Sequence, residues 1–361
     1  MARRLFTPWL FSPLFDLGGF LLPPLVSLLL CALLLLRGGL AQPLGPLGWL
    51  WAVVFVDAAH VYATAHRVYL HPAELRRRPL LYAAVPIGCY LGGVLLHSVS
   101  ALVFWRTLAY LAVWHFVRQQ VGWIKLSQNR DQAVLPQRRS IDRGLDLLAI
   151  YVGTLYPIVY WHSHLPRRIS WFVDGDFVRW LPSELSLWLG PLYVAAAVLW
   201  ISRQLQRAVS GEGLNPSKLL VMIGTWATWY VGIIALDSDV AFTLTNVLGH
   251  GIPYVLLVFR YRQGEQGKTV QGRGLLLALL WFYLPLALFA FVEEGLWDRL
   301  VWHEHSVLYP FSEVELPSGV LAFLSPLLAL PQVTHYLLDG WIWRGRENPN
   351  LSRNLGLTSA P

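Results

Sequence analysis

The apolar residues of this chain fall in blocks of about 20, parted by short polar segments. A helix of that length spans a hydrocarbon core roughly 30 Å thick. The blocks dictate the solvent: 55% of the 361 residues are hydrophobic and only 14% charged. The expected fold is all-α, a polytopic transmembrane bundle with spans at about 17–36, 46–65, 80–97, 102–124, 144–162, 185–203, 217–236, 240–260, 274–293 and 318–341. Trp49, Trp51, Trp123, Trp161, Trp281, Trp341 and Trp343 lie near block ends, as in an interfacial aromatic belt. Residues 1–361 read as one integral membrane domain, because the longest linkers, 125–143, 163–184 and 294–317, hold interfacial helices at most. The N-terminal run has too long a Phe- and Trp-containing lead-in for a cleaved signal and reads as the first span.

Loop charge orients the spans. One set of connections carries Arg67, Arg76, Arg77 and Arg78; then Lys125, Arg130, Arg138, Arg139 and Arg143; then Arg203, Arg207 and Lys218; then Arg260, Arg262, Lys268 and Arg273. The alternate connections are short and neutral, acidic (Asp237, Asp239, Glu293, Glu294, Asp298) or mixed. Ten spans with both termini in the cytoplasm satisfy the positive-inside rule at nearly every loop, whereas nine or eleven do not. The expected location is multi-pass in a bacterial inner membrane. The net charge of +7 belongs to this topology and to anionic headgroups, since no tract interleaves basic and aromatic residues as a nucleic-acid groove does. Cys31 and Cys89 sit inside apolar runs and read as packing residues.

Eleven histidines divide by position. His66, His71, His97, His162, His164, His303 and His305 fall at span ends or in loops. His60, His115, His250 and His335 fall inside spans, where an ionisable group is costly and usually functional. A depth ruler runs from each ion-ready group to the basic residue that closes its span: ten residues from Asp57 to Arg67, from His115 to Lys125 and from His250 to Arg260, and nine from His335 to Arg344. At 1.5 Å per residue the four groups share a depth of about 13–15 Å above the cytoplasmic boundary. Each histidine has polar company at helical spacing: Asp57 with His60, His115 with Gln119 and Arg118 beside it, Asn246 with His250, and Gln332 and Asp339 with His335. Stripes of this kind turn into the bundle. Gly249 and Gly251 flank His250 and allow close helix approach, and Pro253 and Pro331 can bend helices beside a site.

Imidazoles with carboxylates suit Fe, Mn or Zn, and amide or carboxylate neighbours orient the rings. His60, His115, His250, His335, Asp57 and Asp339 are the expected metal ligands, with Asp57, Asp339 and Tyr254 as catalytic or base groups and Gln119, Asn246, Gln332 and Arg118 as cofactor- or substrate-side donors. Arg118 suits either a headgroup or a pairing with Asp57 or Asp339. The alternative use of such histidines is hydrogen bonding between helices.

The four histidines, in "DAAHVYATAHR", "WHFVRQQ", "NVLGHGIPY" and "QVTHYLLDG", resemble the arrangement in bacterial membrane dioxygenases that cleave β-carotene and, more loosely, membrane fatty-acid desaturases and hydroxylases. The HxxxH and HxxHH boxes of the desaturases are absent. The resemblance implies a non-haem iron centre of one or two irons acting on a lipid or isoprenoid substrate, with a redox partner where the reaction consumes electrons. A zinc-dependent lipid hydrolase is a second expectation, and a transporter or haem-binding protein a third. Walker, GxGxxG, HExxH and GxSxG motifs are absent, and "VSGEGLNPSKLL" (209–220) reads as a turn with a helix start at Asn215 or Ser217.

The topology predicts that, in a background lacking Cys31 and Cys89, a cysteine at Gln266 is shielded from an impermeant external thiol reagent in intact cells while one at Val314 reacts. Labelling of position 266 from outside overturns the cytoplasmic placement of the termini.

Overall fold

The computed structural model describes residues 6–131, 136–267 and 273–357. Lys268, which enters the loop-charge argument, lies outside the described residues. Among those described, the secondary structure is helical, with one isolated bridge between Phe6 and Leu214. Eight helices are long and apolar enough to cross a membrane: α1 Pro13–Leu36, α2 Pro46–Tyr69, α3 Pro79–Val99, α5 Arg139–Ser163, α6 Glu184–Ser210, α7 Pro216–Ala235, α8 Asp239–Glu265 and α9 Arg273–Trp302. Between α3 and α5 lies α4, Ala101–Ser127, long enough at 27 residues but less apolar because it carries Arg106, Arg118 and Lys125. The last expected span is a bent pair, α10 Ser318–Leu328 and α11 Leu330–Ile342, meeting at 42°. Pro331 has no N–H to donate back to Leu327, and its ring crowds that carbonyl, so the chain turns there.

Local sequence explains where the helices begin. Pro13, Pro46, Pro79 and Pro216 occupy first-turn positions where a missing N–H costs nothing. Ser12, Asn215 and Ser238 cap α1, α7 and α8 by accepting the N–H of Phe15, Lys218 and Ala241. Asn215 thereby fulfils the expected helix start after the 209–214 turn. Wide π-type turns interrupt α2 at Leu50–Ala58 and Ala65–Tyr69, and α8 at Thr243–Val247. Such turns often mark functional positions.

The chain forms two compact units, one of residues 1–43, 113–170 and 177–250 and the other of 44–112, 171–176 and 251–361. In the first, buried charge ties the helix ends together. Lys218, 1% exposed, donates from Nζ to Asp131 Oδ2 and Asp146 Oδ2, each at 2.9 Å. Arg207 and Arg203 both reach Asp142, at 3.0 and 2.6 Å. These bases, counted above as inside charge, are therefore neutralised within the protein instead of facing headgroups. In the second unit, Val54, Ala59, Ala63, Tyr254, Val258, Leu286 and Ala290 make a buried apolar cluster, and Arg67 is buried against Glu74 at 3.0 Å and over the Tyr261 ring at 4.1 Å. A Cβ on Gly251 would come within 2.7 Å of the Val56 carbonyl, so α8 and α2 approach backbone to backbone there; Gly249 meets nothing within 4 Å.

The helices differ sharply in burial. In the most apolar 18-residue stretch of α8, 72% of residues are buried, against 11% in α3 and in α9. Leu80 and Leu187 are 84% and 74% exposed, which in water would be a liability and in a bilayer is the natural contact with lipid. The helix carrying Asn246, His250 and Tyr254 is therefore the central one in this respect.

Removing Lys218 leaves two buried carboxylates without their shared cation. Lys218→Ala is expected to cost about 3–5 kcal/mol, read as a lowered thermal transition in detergent, while the exposed Arg76→Ala shifts it by no more than about 0.5 kcal/mol.

Candidate metal centre

Four spans each place one histidine deep in the protein. His60 follows the first π-type stretch of α2, His115 lies midway along α4, His250 follows the π-type stretch of α8, and His335 lies one turn beyond the α10–α11 bend. Their exposures are 1%, 4%, 0% and 0%. His60 and His335 meet with ring centroids 5.0 Å apart and planes at 79°. His115 and His250 repeat that geometry, again at 5.0 Å and 79°. One ring nitrogen from each of the four lies within 4.8 Å of every other.

The donor set fits a metal ion. A tetrahedral shell with metal–nitrogen bonds of 2.0–2.1 Å places nitrogens about 3.3–3.4 Å apart, which rotations of the imidazoles by a fraction of their width achieve from the observed spacing. Four neutral nitrogens without thiolate or carboxylate in the group suit a borderline first-row ion rather than a hard oxygen-seeking one. Burial supplies the dry surroundings that strengthen each bond.

Asp57 and Asp339 stand outside this four-nitrogen group. Asp57 Oδ1 lies 3.6 Å from His60 Nδ1, and Asp339 Oδ1 lies 3.7 Å from His335 Nδ1. Both distances exceed hydrogen-bonding range, so the carboxyl groups stand beside the rings without bonding to them. Tyr254 is buried beside them and donates from Oη to Asp339 Oδ1 at 2.7 Å. Its ring stands edge-on to His335 at 4.8 Å and to His60 at 5.7 Å. Gln119 reaches the site through the backbone, donating from Nε2 to the His250 carbonyl at 3.1 Å.

Three other expected site residues turn elsewhere. Asn246 donates to the Phe242 carbonyl and to Thr245 Oγ1 along its own helix. Gln332 donates to Tyr336 Oη at 2.8 Å. Arg118 is exposed, donates to Tyr151 Oη at 2.8 Å and lies over Trp114. Two residues beyond the expected set take part: Thr64, whose Oγ1 is 2.8 Å from His335 Nδ1, and Phe116, stacked on His250 at 3.7 Å. Thr64 was accessible as the continuation of the Asp57, His60 stripe at i+7; Phe116 carries no signal apart from adjacency to His115.

The outer histidines have ordinary work. His71 caps the helix Pro72–Arg77 and pairs with Glu265 at 2.9 Å, His162 bonds the Ile158 carbonyl, and His305 stacks on Trp49.

Comparison of the chain with protein-family models, with curated proteins and with solved structures found no match.

Purified in detergent, His335→Ala and His250→Ala are each expected to lose most of the metal measured by elemental analysis, because each removes one of four donors from a site poorly supplied with water. His97→Ala and His162→Ala should retain the full amount. Equal metal content in all four variants excludes the cluster as the binding site.

Proposed function

We propose that this chain is an integral-membrane oxidoreductase with a single non-haem iron held by His60, His115, His250 and His335, acting on an apolar substrate drawn from the bilayer. The observation that carries the proposal is the convergence of four imidazoles on one point. Two metals would need ligands spread over two centres, so the convergence favours one.

Donor count separates the metals. Four imidazoles saturate a tetrahedral zinc ion and leave no place for the activated water of a hydrolase, which keeps three protein ligands and an open position. A six-coordinate iron with the same four donors keeps positions open, as oxygen-activating iron sites require. Nitrogens this close together also leave no room for the macrocycle of a haem. Transporters spread polar groups along a path, whereas the four histidines here share one locus.

Iron so ligated supplies activation of dioxygen; the protein's part is to hold, orient and exclude. Asp57 and Asp339 stand behind His60 and His335, where an ionised carboxyl group would favour electron-rich imidazoles. Phe116 and Tyr254 wall the rings from water. An apolar cavity of about 330 Å³, at the small end of ligand pockets, is lined by residues including Gly88, Gly92, Leu108, Leu111, Val333 and Leu337. Gly88 and Gly92 would meet nothing within 4 Å if they carried a Cβ, so this stripe of small residues borders space, not a neighbouring helix. Leu111 is one turn along α4 from His115, and Gly88 lies on the lipid-exposed side of α3. A hydrocarbon chain is the chemistry that such walls accept.

Elemental analysis with optical and Mössbauer spectra of the purified protein tests the proposal. About one iron per chain and no Soret band is the expected result. Zinc without iron selects the structural or hydrolytic site, a Soret band selects haem, and neither metal removes the oxidoreductase reading. Gly92→Leu should leave metal content unchanged and reduce the apolar molecules that co-purify, read by mass spectrometry.

A further inference from the structure

A buried chain of hydrogen bonds leads away from His335. His335 Nδ1 is 2.8 Å from Thr64 Oγ1, Thr64 Oγ1 is 2.9 Å from Tyr254 Oη, and Tyr254 Oη donates to Asp339 Oδ1 at 2.7 Å. Each hydroxyl owns a single proton, so the direction of the whole chain follows from its far end. With Asp339 Oδ1 as the acceptor, Tyr254 spends its proton there and can only accept from Thr64. Thr64 then spends its proton on Tyr254 and can only accept from His335. The remaining bond therefore needs a proton on His335 Nδ1. In a neutral imidazole that puts the lone pair on Nε2.

We infer that Thr64 and Tyr254 are positioning residues that hold His335 in the Nδ1–H tautomer and present Nε2 to the metal. The inference rests on the metal-site reading above and adds to it which nitrogen binds and what selects it. A direct carboxylate–histidine contact is the usual device for this purpose. Here the carboxylate is too far from the ring, at 3.7 Å, and two hydroxyls carry its preference across the gap. Thr64 comes from α2, Tyr254 from α8, and His335 and Asp339 from α11, so three helices must be in register for the chain to close. Thr64 and Tyr254 are 3% and 1% exposed, which keeps water from substituting for either hydroxyl.

The substitutions that test this are nearly isosteric. Thr64→Val and Tyr254→Phe remove a hydroxyl and keep the packing, including the edge-on Tyr254 ring; Thr64→Ser keeps the hydroxyl. The first readout is the ¹⁵N shift pair of His335 in metal-free, histidine-labelled protein, assigned by its loss in His335→Ala. Nδ1–H is expected in the wild type and in Thr64→Ser, and a mixture of tautomers in Thr64→Val and Tyr254→Phe. The second readout is Fe²⁺ and Zn²⁺ affinity by chelator competition, expected to fall about 10- to 100-fold in Thr64→Val and Tyr254→Phe and to recover in Thr64→Ser. The double variant should be no weaker than Thr64→Val alone, because either change breaks the same chain. An Nε2–H wild type, or metal affinity untouched by Thr64→Val and Tyr254→Phe in folded protein, overturns the inference and leaves the metal site standing. An Nδ1–H wild type that binds neither ion overturns the metal-site reading and leaves the tautomer assignment standing.

Discussion

A polar group in a hydrocarbon medium has to find its partner inside the protein, and the architecture of this chain follows from that demand. Four imidazoles, two carboxylates and a phenol are carried on helices whose other faces are Leu, Val and Phe. Each helix can rotate only one polar stripe away from lipid, so the stripes meet. Once they meet, four nitrogens within 4.8 Å of one another form a group that could hold a metal ion. The burial of α8 expresses the same demand, because it alone brings Thr245, Asn246, His250 and Tyr254 on successive turns.

The charge network of Lys218, Arg207 and Arg203 shows a second consequence. Three bases and the carboxylates Asp131, Asp142 and Asp146 lie close to the helix ends, where neither full hydration nor full burial applies. Buried pairs of this sort repay their desolvation only when geometry is good and further bonds are made. Here Asn215 donates to Asp131, Gln128 to Asp146 and Trp200 to Asp146, so the carboxylates are surrounded by donors. The network fixes where α4, α5, α6 and α7 end, and thus helps set the level of His115 on α4.

The bundle was legible because apolar length is a strong signal, and each of the ten expected spans falls on helix. The four histidines were legible because each had polar company at helical spacing. Spacing misled at Asn246 for a physical reason: it sits in the π-type stretch Thr243–Val247, where the 3.6-residue period does not hold, and i, i+4 no longer means the same face. Gln332 misled differently, since the equally spaced Tyr336 offered a closer partner. The side chain of Arg118 is long enough to leave its turn and reach the exposed surface, as basic side chains in membranes do. The two aspartates lie beside the histidines of their own helices but outside the four-histidine group, because three- and four-residue spacing along one helix sets a carboxyl group next to its own histidine. Thr64 escaped notice because a threonine in an apolar helix is usually content with its own backbone, and only the fold brings His335 and Tyr254 to it.

The bend at Ala329 sets the course of the helix that both lines the apolar cavity and carries His335. Beyond the bend, α11 shows Leu330, Val333 and Leu337 to the cavity, while His335 lies on nearly the opposite side of the same helix. A straight continuation of α10 would carry one face along its whole length; the 42° turn lets α11 take a new rotation and slope. One short helix thus separates an apolar wall from a polar ligand stripe by its own diameter, roughly 10 Å with side chains. On α4 the two surfaces instead follow one another along a single face, Leu108 and Leu111 first and His115 a turn later. On α11 the histidine and the cavity-lining residues are thus separated around the helix, and on α4 they are separated along it.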